Sequence, residues 1–237
     1  MPLFKLSNHR PLRLVPDSQG RHEFGGRSPY SGLVPTGTDT PVQNVVSLDL
    51  ADPLTPVETE IGLSKLPLLY PFKYGCGGPD IQYTVLTDSE IEILHLSDGE
   101  PDEAEEQYLQ VEELPSARMA LKPLSYEEAR ILGFMSADAY FQPNDDDREI
   151  LDQLDVNNLV EVGGFHPQIP NAGDIFCHNP KCEFHERRVY FDAIVLLPPL
   201  PINGDDEFWH QFQGGGVTFC FGFCRYCGTV IAFNVTS

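Results

Sequence analysis

The stretch Val217-Thr-Phe-Cys-Phe-Gly-Phe-Cys224-Arg-Tyr-Cys227-Gly228-Thr-Val-Ile-Ala-Phe-Asn-Val235 decides how the chain is read. Its flanks, Val217–Phe223 and Thr229–Val235, are rich in β-branched and aromatic residues and predict two strands. Between them the CxxC spacing of Cys224 and Cys227 lets a tight turn aim two sulfurs at one point. Gly228 then allows the backbone to curl without a Cβ clash. A second pair stands upstream in Cys177-His-Asn-Pro-Lys-Cys182, with 41 residues between the pairs. Four thiolates about 2.3 Å from one ion form the closed tetrahedron of a structural zinc site. The predicted ligands of a structural Zn2+ are therefore Cys177, Cys182, Cys224 and Cys227. The 41-residue separation exceeds a compact zinc ribbon, so a hairpin is expected to loop out between the two knuckles.

Other uses of these cysteines fit less well. A disulfide framework calls for a secretory context, and a redox CxxC needs no second pair and belongs in a βαβ unit. A catalytic zinc needs an open coordination position and a general base. The nucleobase-deaminase pattern H-x-E…P-C-x-x-C fails twice, because Phe223 precedes Cys224 and His185-Glu186 lacks the intervening residue. His178 and His185 read as surface residues of the knuckle. Cys220 would lie about 13 Å from Cys224 along an extended strand, too far to share one ion, and reads as a core residue. Cys76, in Tyr74-Gly-Cys-Gly-Gly, has no histidine tied to it by motif and reads as a turn residue.

Outward from this stretch, the 21 prolines and 20 glycines predict short elements and frequent turns. Further strands are expected at Val42–Leu50, Ile81–Leu86, Glu90–Leu96 and Val189–Leu197. Ser125-Tyr-Glu-Glu128 is a capping box opening a helix. Asn144 before Asp145, Asp146 and Asp147 caps a second helix reaching about Val156, with Ile150, Leu151 and Leu154 on its apolar face. Glu23-Phe-Gly25-Gly26-Arg-Ser-Pro29 matches Glu161-Val-Gly163-Gly164-Phe-His-Pro167. In each case there follow a strand with a proline-bearing end and then a Gly-containing turn leading to an aromatic strand, GCGGPDIQYTVL in one and GGGVTFCFGF in the other. The fold class expected is α+β and β-rich, with two related lobes from an internal duplication. Residues 1–135 form a lobe without metal, and 136–237 form a lobe with the zinc knuckle.

Fifteen basic and 36 acidic residues leave a net charge of −21. Such a surface repels nucleic acid and anionic membranes and attracts basic partners, or serves solubility alone. The N-terminal MPLFKLSNHRPLRLV has no signal-peptide core, and AIVLLPPLPI at 193–202 is too short and proline-broken to span a bilayer. A cytoplasmic location is expected, with no membrane, nucleic acid or small-molecule substrate as partner. No P-loop, dinucleotide fingerprint, nucleophile elbow or zincin helix is present, so the chain reads as a non-enzyme. Trp209, in DDEFWHQF, reads as packing. The acidic run Asp98–Glu113 is a solvated loop or an exposed helix face.

With these residues in view, the chain resembles the YwqG-like family of bacterial proteins and, more distantly, the programmed-cell-death-2 family. The resemblance rests on Gly163, Gly164 and Pro167, the cysteine pair that follows, Asp192–Pro201, and the closing Phe219–Cys227. It covers most of the second lobe and the first only faintly. It implies a β-rich, two-lobed fold without known catalytic residues. It also implies an acidic binding role: an immunity protein neutralising a cognate toxin, such as a nuclease effector of type VI secretion, or a chaperone or adaptor for a basic ribosomal protein. The partner surface expected from charge comprises Asp98, Glu100, Asp102, Glu103, Glu105 and Glu106, with Asp145–Asp147 as a second cluster.

Overall fold

Short runs of alternating apolar and polar residues, such as Leu12-Arg-Leu and His22-Glu-Phe, bury one face and form strands, which outweigh helix among the described residues. The computed structural model describes residues 3–7, 10–39, 41–72, 80–97, 113–137, 141–154, 159–163, 175–197 and 217–236. Its strands are β1 (Phe4–Leu6), β2 (Leu12–Pro16), β3 (His22–Phe24), β4 (Gln43–Asp49), β5 (Val57–Thr59), β6 (Lys65–Tyr70) and β7 (Ile81–Thr87). They continue with β8 (Glu90–Leu96), β9 (Ala117–Pro123), β10 (Val160–Val162), β11 (Phe191–Leu197), β12 (Val217–Cys224) and β13 (Val230–Thr236). Helix α1 spans Tyr126–Ala137 and α2 spans Asp145–Leu154. The fold is thus β-rich with two described helices.

β1 pairs with β5, and the other strands form one eleven-stranded sheet in the order β6-β4-β3-β9-β2-β10-β11-β12-β13-β7-β8. Pairing crosses the expected 135/136 boundary twice, at Leu14 with Val160 and at Val230 with Tyr83. The sheet curls until β6 reaches β7: the Tyr83 hydroxyl donates to Pro67 O at 2.7 Å and accepts from Leu69 N at 3.0 Å. Those bonds satisfy the edge of a strand whose Pro67 suits it to an edge. Inside the curl lie Leu12, Leu14, Phe24, Leu66, Leu68, Tyr83, Val160, Val162, Phe219, Phe221 and Phe223, all buried.

The two arms beside β9–β2 share details of register. Val45 of β4 and Ile194 of β11 are each the extra residue of a bulge. Gly25, at φ 62°, donates its N–H to Val45 O, and Gly163, at φ 70°, donates its own to Ile194 O. Beyond β4 the sheet continues to β6, whereas the aromatic strand that follows the glycine-rich segment is β7, which lies beside β13.

Both helices begin as their sequences predict. Ser125 N donates to Glu128 Oε2 at 2.6 Å, and Glu128 N donates to Ser125 Oγ at 3.2 Å, which closes the capping box. Asp147 N donates to Asn144 Oδ1 at 2.9 Å. Leu151 and Leu154 pack with Leu124, Leu132 and Leu159 beneath the helices, as the apolar-face reading expected. The acidic cluster beside Asn144 is not a uniform exposed face, however. Asp145 and Asp146 are exposed, whereas Asp147 is buried and accepts from Arg130 Nη2 at 2.8 Å, tying α2 to α1.

Within the sheet, buried His22 and half-buried Glu161 are titratable groups whose surroundings set their charge. His22 Nδ1 accepts from Asp49 N at 3.0 Å, so its proton resides on Nε2 and is donated to Asp52 Oδ2 at 3.0 Å. Burial lowers the His22 pKa in spite of Asp52, which fits a neutral ring latching the turn after β4. Glu161, between Arg13 and Leu196 in register, has its carboxyl pushed up to about 7 by burial. A folded-state pKa above the unfolded value means that the native protein holds its proton longer. Glu161 therefore costs stability progressively as pH rises from about 4.3 through about 7, with no further loss above that window. Glu161→Gln should unfold at higher denaturant than the parent at pH 8 and lose the advantage at pH 4. Equal unfolding midpoints at both pH values would remove this assignment.

Candidate metal centre

Each cysteine pair is held by a backbone turn. In the first, Cys182 N donates to Asn179 O at 2.9 Å and His185 N to Cys182 O at 3.0 Å. Glu186 follows at φ 54°, the one non-glycine residue in the left-handed region among those described, and donates its N–H to Cys177 O at 2.7 Å. In the second, Gly228 N donates to Cys224 O at 2.8 Å, and Cys224 N donates to Thr229 O at 2.9 Å. Gly228 is required twice over. Its φ is 74°, and a Cβ there would strike the backbone of Leu3 and Phe4, where Leu3 N donates to Cys227 O at 3.1 Å. The segment between the pairs contains the β11–β12 antiparallel pair, as the spacing predicted.

The turns converge. The sulfurs of Cys177, Cys182, Cys224 and Cys227 all lie within 4.8 Å of one another. Cys177 Sγ and Cys227 Sγ are 3.6 Å apart, and Cys182 Sγ and Cys224 Sγ are 3.9 Å apart. Bonds of about 2.3 Å to a tetrahedral ion place sulfurs about 3.8 Å apart. The two measured edges bracket that value and are far too long for disulfides, and all four thiols are free. The donor set fits a thiophilic ion, which the four sulfurs, as thiolates, would coordinate tetrahedrally.

Polar groups around the sulfurs complete the site. Phe184 N approaches Cys182 Sγ at 3.4 Å. Buried Asn179 donates to Thr229 Oγ1 at 2.8 Å, and that hydroxyl lies 3.1 Å from Cys227 Sγ. Hydrogen bonds from Cys177 and then Cys224 hold the Cys227 thiol at about 2, far below its usual range. The same sharing, with Cys224 foremost, pushes Cys177 up.

The first knuckle is also fixed from a distant strand, and no motif announced it. Buried Gln82 of β7 donates from Nε2 to Phe176 O at 2.6 Å and accepts at Oε1 from His178 N at 2.9 Å, so both ends of one amide grip the loop around Cys177. Its only signal in the sequence is a polar residue inside Ile81-Gln-Tyr-Thr-Val. The outer face of β11–β13 forms a second small core with the cysteines, made of Val189, Cys220, Ile231 and Phe233. Cys220 is fully buried there and stands apart from the group of four. His178 stacks on His95 at 3.8 Å between ring centroids, and exposed His185 lies outside the group of four. Cys76, Trp209 and the acidic candidates Asp98, Glu100, Asp102, Glu103, Glu105 and Glu106 lie outside the described residues.

Fold and site together define a β-rich protein with a buried four-cysteine cluster that could hold a metal ion. Comparison with models of known families gave no match to this chain, and comparison with curated proteins and with solved structures gave none either. No helix among the described residues is long and apolar enough to cross a membrane.

Elemental analysis of purified protein should find one metal per chain. Cys224→Ser or Cys227→Ser should release it and expose the outer core of β11–β13, since structural metal contributes on the order of 10 kcal/mol in small metal-folded domains. Cys220→Ala should keep the full metal content. Metal loss in Cys220→Ala, or a folded, metal-free parent, would contradict the four-ligand assignment.

Proposed function

We propose that the protein is an acidic binding module whose metal serves structure, and that it acts as an immunity protein against a secreted bacterial toxin. The observation that carries this reading is a net charge of −21 on a scaffold whose metal cluster uses four thiolates. A toxin with a basic substrate groove, such as a nuclease effector of type VI secretion, is the partner this charge suits. The resemblance to the YwqG-like family supports the same reading. A chaperone or adaptor for a basic ribosomal protein is the alternative, and the partner's identity separates the two. The ion proposed is Zn2+, since a tetrahedral set of four cysteine thiolates is the usual arrangement of a structural zinc site. The site of action proposed is the cytoplasm, where thiols stay reduced.

We further propose that the sheet arose by duplication, with β3-β4-β6 corresponding to β10-β11-β12. Supporting this are the matched bulges at Val45 and Ile194 and the matched glycine bonds from Gly25 and Gly163. The registers flanking β2–β9 add to it: the exchange of Val15 with Ala120 that relates β2 to β9 also carries the β10–β2 pairs Val160–Leu14 and Glu161–Arg13 onto the β3–β9 pairs His22–Met119 and Glu23–Arg118. A profile of relatives should align 22–70 with 160–223; no internal match would remove this proposal.

Affinity capture from the native cell, followed by mass spectrometry, should return a basic protein. Its association with the purified chain should slow as salt rises, because charges are screened beyond about 8 Å at physiological ionic strength. A salt-independent on-rate, or capture of no basic protein, would defeat the reading.

A further inference from the structure

A groove of about 540 Å3 runs between the β7–β8 hairpin and the first cysteine turn. Leu86 and Leu94 of the hairpin, Ile61, Tyr226 and the segment Asn179–Glu183 line it. Ile61 and Leu86 are 41% and 39% exposed, so two large apolar side chains face solvent in one concavity. Such a concentration marks a binding surface more than isolated exposed residues do. The acidic and basic side chains lining it are Glu92 and Glu183 against Lys181, so its charge repels anions and suits a cationic ligand.

We propose that this groove docks a segment of a partner protein in which an apolar side chain is flanked by lysine or arginine. The apolar residue enters between Ile61, Leu86 and Leu94, and the flanking cations meet Glu92 and Glu183. Cys182 and Cys227 also line the groove, so the four-cysteine cluster forms part of one of its walls. This assignment rests on the acidic-binding reading above and gives it a location.

The test uses the full metal-loaded chain and two fluorescent nonapeptides, one alternating Lys with Leu and one alternating Glu with Leu. The Lys–Leu peptide should bind saturably and the Glu–Leu peptide should not. Ile61→Asp and Leu86→Asp should each weaken binding about tenfold, the loss of one well-seated apolar contact. The double variant Glu92→Lys, Glu183→Lys should weaken it further at low salt than at high salt. Val34→Asp, at an exposed apolar residue outside the groove, should leave affinity unchanged. Retained metal content verifies that each variant is folded. No saturable binding, or equal affinity across Val34→Asp, Ile61→Asp and Leu86→Asp, overturns the groove assignment. Either result leaves the acidic-binding reading to be judged on the captured cellular partner, which tests it independently.

Discussion

Four thiols confined within 4.8 Å of one another impose the constraint on which the outer half of the sheet depends. Sulfurs at 3.6 and 3.9 Å cannot all carry charge unless a cation sits among them, since like charges repel strongly at that range in a buried site. With a cation, the repulsion becomes four bonds that join the loop at Cys177–Cys182 to the β12–β13 turn. The second core beside them is small, with Val189, Ile231 and Phe233 as its main apolar residues besides the cysteines. A few side chains each contribute about 1.5–3 kcal/mol on burial. Phe184, Phe191, Leu196 and Tyr226 pack against this core only partly buried, so bonds to an ion would add to the order of the surrounding loops.

The cysteines alone do not position the knuckle. Gln82 grips Phe176 O and His178 N from β7, and Leu3 N reaches Cys227 O beside Gly228. Both contacts come from the N-terminal half, and β7 also pairs with β13. The metal-binding segment is therefore completed by residues more than a hundred positions away from its second cysteine pair. The same dependence explains β12, whose sequence Val-Thr-Phe-Cys-Phe-Gly-Phe-Cys has almost no polar side chain. Phe219, Phe221 and Phe223 fill the inside of the curl, while Cys220 and Cys224 fill the outer core. Gly222 lies under the ring of Phe191, where a Cβ would collide.

The cluster was legible in the sequence because short Cys spacings translate into turns whose geometry is nearly independent of the rest of the fold. The strands β4, β7, β8, β11, β12 and β13 were legible for a similar reason, being long enough for pattern and composition to register. β2, β3 and β10 are three to five residues long and carry too few alternations, and β6 hid behind Pro67, which an edge position tolerates. The order of strands was not legible at all. It depends on which pairs meet across long separations, such as Leu14 with Val160, and no local signal encodes that choice. Gln82 went unseen for the same reason, because its role exists only once β7 and the knuckle meet.

Charge was the other broad feature of the sequence, and the structure divides it into parts with different uses. Asp147 neutralises Arg130 in the helix pair, Asp52 receives the His22 proton, and Asp192 holds Arg225 through Nε and Nη2. Glu128 closes a capping box, and Asp88 accepts from Ser64 N at 2.7 Å. These carboxylates are committed to the fold and are poorly available to a partner, although they count equally in the total of −21. A net charge can accelerate encounter from a distance, but it cannot specify where contact is made. Specificity needs carboxylates that are exposed beside apolar surface, because only there does neutralisation coincide with burial. Among the described residues Glu92 and Glu183 meet that condition, on either side of a groove that the metal knuckle helps to shape.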